Sequence, residues 1–509
     1  MSGAGPEQRR ILFVSSNGTG LGHLTRSMAI ARRLREGFEP LFVSLSAAAP
    51  IVAEQGFEVE YIASHATPTA GSDWRWSRRL RARMRAILRE TRPSVVVFDG
   101  AHPYQGFVDA LAAASGAARV WSRRPMWLPG SNAGALGRER FFTHVLEPGE
   151  FAAEYDRGAT VARRGEAHAV EPIVFCEDDE LLPREQAERE LGLEPGRTSV
   201  LVALGQGAEV RGAVARCLAA LAGRGDVQVA ALSSALAELE DVPEGVAHLR
   251  STYPMSRYLR AFDAAVSAAG YNAYHELIRF GVPTLYVPME RRTDDQAARA
   301  RYAADAGVGL AVSGPDAPEL EARLAELLDE GRRAELRERL ATRRPKNGAE
   351  EAARWIEALA AREREGGGGG SRRARSARLS WATLREAPRM TAAIAYQTAL
   401  RPAARTLVLA PGVDAERLAA EVRALLAAGE RPERTLVVID SLEALGPLRA
   451  LGVGIEHVPG AGSRAAALSG LEWPEFFAAR LGAILAERPR PRRVVELGER
   501  VPPGTLNAL

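Results

Sequence analysis

Short apolar runs alternate with longer amphipathic stretches along most of the chain, and they fall into three series. In the first, runs at 11–15, 41–45, 59–62, 95–98 and 118–121 predict strands. A helix is expected from about Leu24 to Arg35, with Leu24, Met28, Ala31 and Leu34 on one face and Gly37 as its stop. Another, over 75–91, carries Leu80, Met84, Ile87 and Leu88 at helical spacing. The second series predicts strands at 199–204, 227–232, 246–249, 264–267, 283–287 and 308–312, with helices at 208–223, 272–280 and 294–305. The pattern then breaks at five consecutive glycines, Gly366 to Gly370, followed by the basic stretch Ser371 to Arg378. A third series follows: strands near 406–410, 435–440, 454–458 and 493–497, with helices near 414–428 and 474–487.

Strands alternating with helices imply parallel sheets covered on both faces. The expected fold class is therefore α/β: two tandem doubly wound, Rossmann-like domains and a smaller α/β domain at the C-terminus. The boundaries read as 1–168 for the first domain and 169–347 for the second, with Glu171-Pro172-Ile173 as the crossing between them. A helix over 348–364 closes the unit and packs back on the first domain, 365–380 is a flexible linker, and 381–509 is the accessory domain. A chain of 509 residues is too long for one core, which agrees with this division.

Composition narrows the class only a little. Apolar residues make up 46% and charged residues 26%, and the net charge of +3 gives no reason to expect a nucleic-acid partner. Lysine occurs once, at Lys346, so arginine carries nearly all the positive charge. Cys176 and Cys217 lie far apart without metal-ligand spacing, which argues against a disulfide framework and a zinc site and fits a reducing cytosol. Strand-like sequence begins by Ile11, leaving no room for a signal peptide. No apolar run approaches the ~20 residues of a membrane-spanning helix. A cytoplasmic protein is expected.

Two glycine-rich turns carry the candidate chemistry. Asn17-Gly-Thr-Gly-Leu-Gly-His23 follows the first strand, so Gly18, Gly20, Gly22 and His23 lie where a doubly wound sheet binds ligands. Glycines admit close backbone approach, and a histidine there can take a proton near neutral pH. The same residues can equally form a tight turn whose histidine only caps or packs. The spacing is neither the dinucleotide fingerprint nor a P-loop, which lacks its Lys-Ser/Thr here. In the second domain Gly270 opens a strand-to-helix turn, with Tyr271 and Asn272 following, and Glu276 falls about one turn inside the helix. That carboxylate can accept both hydroxyls of a ribose while the helix start faces a diphosphate. Gly205-Gln206-Gly207 offers further N–H donors, and Asp295-Gln296 can bond sugar hydroxyls. Singly each is as well explained as a cap or a solvated residue. Together, all at strand ends of one sheet, they point to a phosphorylated ligand between two domains.

These residues resemble a GT-B glycosyltransferase of the MurG type over about 10–345. Gly18-Thr-Gly-Leu-Gly-His23 is similar to the family's Gly-x-Gly-Gly-His turn with Leu21 inserted, and Leu204-Gly-Gln-Gly-Ala208 to its Gly-Ser-Gln-Gly-Ala loop. Ala269-Gly270, Glu276, Gly281-Val-Pro283, Tyr286-Val-Pro288 and Gln296 match its donor signature. The resemblance implies a nucleotide-sugar co-substrate, UDP-linked, with no cofactor and no metal, and an inverting single displacement. Glu276 would bind the ribose, Gln296 the transferred sugar, and the base would sit near Met255. His23 would lie near the acceptor hydroxyl, with Asp99 and His102 as competing candidates for base or orienter. The family also carries an arginine just after the crossing. Glu171-Pro-Ile-Val-Phe175 has none, leaving Arg250, Arg291 and Arg292 as substitutes.

The acceptor reads as a lipid-linked or cell-envelope glycan. The helix at 75–91 holds seven arginines behind Trp74 and Trp76, a composition suited to an anionic membrane surface, or equally to a solvated face. The basic linker is a second such contact. Peripheral attachment to the inner face of the membrane is the corresponding expectation. Thr435-Leu-Val-Val-Ile-Asp440-Ser441 in the third domain is a buried strand ending in a vestigial site or a cap. Two rivals stay open: a nucleotide-sugar 2-epimerase, and a non-catalytic nucleotide-sugar sensor.

Overall fold

The computed structural model describes residues 9–16, 21–205, 208–222, 224–233, 242–250, 252–365, 404–498, 500–503 and 505. The first sheet comprises β1 (Arg9–Ser15), β2 (Phe38–Ser44), β3 (Glu58–Tyr61), β4 (Val95–Asp99), β5 (Ala118–Ser122), β6 (His144–Pro148) and β7 (His168–Val170), in the order β3-β2-β1-β4-β5-β6-β7. The second comprises β8 (Thr198–Ala203), β9 (Val227–Leu232), β10 (Val246–Leu249), β11 (Ala264–Ser267), β12 (Thr284–Tyr286) and β13 (Leu310–Ala311), ordered β10-β9-β8-β11-β12-β13. A third holds β14 (Thr406–Ala410), β15 (Thr435–Ile439), β16 (Gly454–His457) and β17 (Arg493–Glu496), ordered β16-β15-β14-β17.

Among the described residues all strand pairings within the three sheets are parallel, and each sheet winds outward in both directions from its first strand. Parallel strands need apolar residues on both faces, and Ile11 through Val14 are no more than 1% exposed. The sequence pattern does not reveal β6 and β7, because His-Val-Leu-Glu-Pro and His-Ala-Val lack an apolar run.

The chain passes between the first two domains twice, and the two passages touch. Gly348 N–H donates to the Pro172 carbonyl at 3.0 Å, and a Cβ on Gly348 would lie 2.0 Å from the Glu171 carbonyl oxygen. Asn347 and Val174 add a reciprocal pair of bonds at 3.1 and 3.2 Å. The helix Ala349–Glu365 then lies on the first domain, where Ala353, Ile356 and Ala360 share a core with Ile11, Phe13 and Met28. Its Glu357, 1% exposed, accepts from the backbone and side chain of Arg35 at 2.7 and 2.6 Å.

The third domain docks on the β3 edge of the first through buried charge. Arg83, on the helix Asp73–Thr91, bonds Glu60 at 2.6 Å, Glu456 at 3.1 Å and the His457 carbonyl at 2.8 Å. Arg480 bonds Glu60 at 3.1 Å and Glu90 at 2.7 Å, and Arg488 reaches Glu456 at 2.7 Å and the Thr69 carbonyl at 2.8 Å. Burial by itself would raise the Glu60 pKa, but Arg480 and Arg83 outweigh it and hold the carboxyl below its ordinary value.

This docking corrects the reading of the arginine-rich helix as a free surface. Arg79 and Arg83 are buried, Arg78 pairs with Glu487 of the third domain, and the buried Trp76 donates its indole N–H to the Ala63 carbonyl. Trp74 is exposed, with Arg75 and Arg78 against its ring. No helix among the described residues is long and apolar enough to cross a membrane.

Removing one member of a buried ion network leaves its partners charged and short of a counter-ion. Arg83→Met should therefore cost the docked third domain about 3–5 kcal/mol. Hydrogen exchange at β16 should read this as lost protection. Unchanged protection there would show that apolar contact alone holds the domain.

Candidate active site

The crevice of a doubly wound sheet opens beyond the carboxyl ends of the strands where the winding reverses. In the first domain that point lies between β1 and β4, and both candidate catalytic groups stand there. The chain leaving β1 enters the helix Gly22–Ala31, which places His23 in its first turn, while Asp99 ends β4 in register with Ser15. His23 Nδ1 lies 2.6 Å from Asp99 Oδ1. Arg26, one turn further along the same helix, donates to both carboxylate oxygens at 3.1 and 2.5 Å, and the Ser122 hydroxyl donates to Oδ2 at 2.9 Å.

Asp99 is 1% exposed. Burial alone would raise its pKa, but Arg26 and His23 outweigh it and hold the carboxyl at about 2. An ionised carboxylate only accepts, so the shared proton sits on His23 Nδ1 and leaves Nε2 as the basic nitrogen. Burial lowers the His23 pKa below its usual value despite Asp99, with Arg26 and Arg124 acting in the same direction. Burial therefore favours the neutral ring. His102 lines the same cleft without joining this dyad, its Nδ1 3.3 Å from Asn132 Oδ1, and burial brings its pKa down to about 4.

The second domain meets this dyad from across the cleft. Gly205 follows β8 at φ +85°, a left-handed conformation that favours glycine. Gly270 caps the helix Tyr271–Arg279 after β11, so the positive helix end opens toward the crevice. Asn272 ties the two halves together: its side-chain N–H donates to the Gly22 carbonyl at 3.4 Å, and its oxygen accepts from Arg26 at 3.5 Å. Glu276 lines the cleft near Met255, accepts from Phe175 N–H at 3.5 Å, and is pushed up to about 7 by burial.

Gln296 is fixed by Met289 N–H, which donates to its side-chain oxygen at 3.0 Å, and its amide N–H reaches Asp294 at 3.4 Å. Its neighbour Asp295 does not line the cleft. The Asp295 carboxylate caps the helix Gln296–Asp305 by accepting from Ala298 N–H at 2.9 Å, which corrects its placement among donor-site residues. Asp294 faces the cleft instead, held between Arg124 and Arg299. Tyr271 also serves the domain junction, since its hydroxyl donates to the Gly149 carbonyl at 2.9 Å and accepts from Ile173 N–H at 3.2 Å. Gly18, Gly20, Gln206 and Gly207 lie outside the described residues.

A single cleft of about 1900 Å³ contains His23, Gly205, Met255, Gly270, Glu276 and Gln296. Of the three arginines proposed for phosphate, Arg291 and Arg292 line it and Arg250 does not. Two further lining arginines escape the sequence reading. Arg26 has a signal, its i,i+3 spacing from His23, whereas Arg124 has only its place just past β5. Among the described residues no group of three or more His, Cys, Asp or Glu is disposed to hold a metal ion.

A carboxyl whose folded pKa is raised makes the fold most stable below its unfolded pKa and less stable as pH rises through the folded one. Glu276 should accordingly weaken the fold as pH rises from 4.5 through about 7. Denaturant titrations of the wild type and Glu276→Gln across that range check this: the wild-type curve should fall more steeply, and parallel curves would place the carboxyl in water.

Residues 199–359 match the Glycosyltransferase family 28 C-terminal domain. No curated protein matches the chain in sequence. Among solved structures, the spinosyn forosaminyltransferase SpnP superposes with a TM-score of 0.50 at 17% identity, covering 69% of this chain and 99% of that one. The glycotransferase of kitacinnamycin covers 70% of this chain and 100% of its own at 18% identity and a TM-score of 0.47. MurG from Acinetobacter baumannii covers 69% and 99% at 17% identity and a TM-score of 0.46. The first two domains have the GT-B fold, and the second contains the segment that matches the glycosyltransferase family 28 C-terminal domain.

Proposed function

We propose that the chain is an inverting glycosyltransferase that moves a sugar from a UDP-linked nucleotide sugar to a hydroxyl of a lipid-linked or cell-envelope glycan. The observation that carries this reading is the arrangement across the cleft. A neutral histidine, oriented by an ionised aspartate, faces a glycosyltransferase-type domain with Glu276 and a helix start turned toward it.

In this mechanism Glu276 accepts the ribose hydroxyls, the base lies by Met255, and Gln296 meets the transferred sugar. The turn at Gly205, the helix start at Gly270 and the cleft arginines take the diphosphate. The acceptor oxygen attacks the anomeric carbon as its proton passes to His23 Nε2. The bond from that carbon to the diphosphate oxygen breaks with its electron pair leaving on the diphosphate, and the configuration inverts. Asp99 stabilises the imidazolium that forms and keeps the ring in the required tautomer. Arg26, bonded to Asp99 and to Asn272 of the second domain, couples the position of the base to the donor half.

A 2-epimerase works on one substrate. The cleft here extends past His23 to the third domain, and that extra room favours a second substrate. A sensor would bind the donor with His23 dispensable.

Thermal unfolding of the full chain with UDP and a panel of UDP-sugars is the direct test of donor binding. Ligand at a hundred times its Kd stabilises by about 2.7 kcal/mol, a shift of a few degrees. Glu276→Ala should weaken that binding by roughly tenfold, about 1.4 kcal/mol, and unchanged affinity would remove Glu276 from the donor site. His23→Ala should abolish transfer, by about a thousandfold or more, while donor affinity stays within twofold. Retained turnover would favour a different base.

A further inference from the structure

The third domain has the winding of a ligand-binding sheet but does not use its own crevice. That crevice would open between β14 and β17, where the winding reverses. Chain fills the point: a Cβ on Gly498 would sit 2.3 Å from the Pro411 carbonyl oxygen, and one on Gly412 would sit 2.9 Å from the Arg500 side chain. The loops leaving β15 and β16 turn instead into the large cleft, which Asp440, Ser441, Glu443 and Ser463 line together with His23. They enter from the β3 edge, opposite the β7 edge from which the chain crosses to the second domain.

Their placement is set by the docking itself. The buried His457 accepts from Tyr61 N–H of β3 at 3.2 Å and hydrogen-bonds the Asp440 backbone. Asp440 in turn accepts from Gly412 N–H at 2.8 Å.

We propose that this wall is the far part of the acceptor site and takes an uncharged, hydroxyl-rich segment of the acceptor, a saccharide. The proposal rests on the glycosyltransferase reading of the same cleft. Positive charge in the cleft is one-sided. Among the described residues its arginines, Arg26, Arg124, Arg291 and Arg292, all belong to the first two domains, whereas the polar lining from the third domain is Asp440, Ser441, Glu443, His457 and Ser463, with no Arg or Lys. Saccharide hydroxyls donate to carboxylates and exchange bonds with serines. A phosphate against this wall would lose water without meeting a cation. The hydroxyl to be glycosylated would lie at His23, and the rest of the acceptor would run toward Ser441 and Glu443.

The test uses the full chain. Retention is measured on immobilised uncharged oligosaccharides and on their phosphorylated and sulfated counterparts, beside the thermal shift with UDP. The wild type should be retained on one or more uncharged saccharides. Glu443→Arg, at an exposed position, should cut that retention at least fivefold, Glu443→Gln should keep at least half of it, and all three proteins should show the same UDP shift. Retention on anionic saccharides alone, on none, or undiminished in Glu443→Arg overturns the subsite. No UDP shift in a chain whose saccharide retention depends on Glu443 sinks the donor reading while leaving the saccharide wall in place.

Discussion

A buried guanidinium must find an acceptor, and in this arginine-rich chain carboxylates supplied across domain boundaries set where the domains sit. Arg299, fully buried in the second domain, reaches Glu150 of the first at 2.8 Å, and Arg124 of the first domain pairs with Asp294 of the second. Arg83 plays the corresponding part between the first and third domains, with Glu60 on one side and Glu456 on the other. Such pairs add little net stability compared with apolar packing, but an unsatisfied member is costly. They therefore act chiefly on geometry: other placements of the three sheets would leave buried charge without a partner.

That geometry is what makes the site. Asp99 and His23 belong to one domain, and the helix that presents Glu276 belongs to another. His23 and Glu276 face a single cleft because Asn272, Arg26 and the Trp127–Asp294 bridge hold the two halves face to face. The two ionisable groups are driven to complementary states by their surroundings. Paired with Arg26, Asp99 stays charged, while burial keeps His23 neutral and so able to accept a proton. Glu276, without a neighbouring cation among the causes of its shift, is pushed the other way.

The third domain extends the same logic. Its sheet repeats the winding of the other two, yet its own crevice is filled and its strand-end loops complete a neighbour's cleft. On the proposed function, that wall beside His23 would meet a second substrate with groups that the two-domain fold does not itself supply.

Much of this was legible along the chain. Period and composition place the strands of all three series, except β6 and β7, because a strand buried on both faces must be apolar throughout and a helix must repeat near 3.6. The turns opening at Gly22 and Gly270, and the residues His23, Asp99 and Glu276, stand out by type and by position after a strand. Their relations do not. His23 and Asp99 are 76 residues apart and meet only because β1 and β4 are neighbours in the sheet. Asp294 and Asp295 are adjacent and alike in sequence, yet one carboxylate faces the cleft while the other caps a helix, a choice made by backbone direction at the turn. The arginines of the helix Asp73–Thr91 read as a solvated or lipid-facing surface, because nothing local to them announces Glu456 or Glu487 some four hundred residues away. The sequence by itself determined the elements and the residues able to do chemistry, since those follow from short-range sterics and apolar periodicity. Only the tertiary structure decided which of those residues touch, because the pairing of charges across domains depends on contacts remote in the chain.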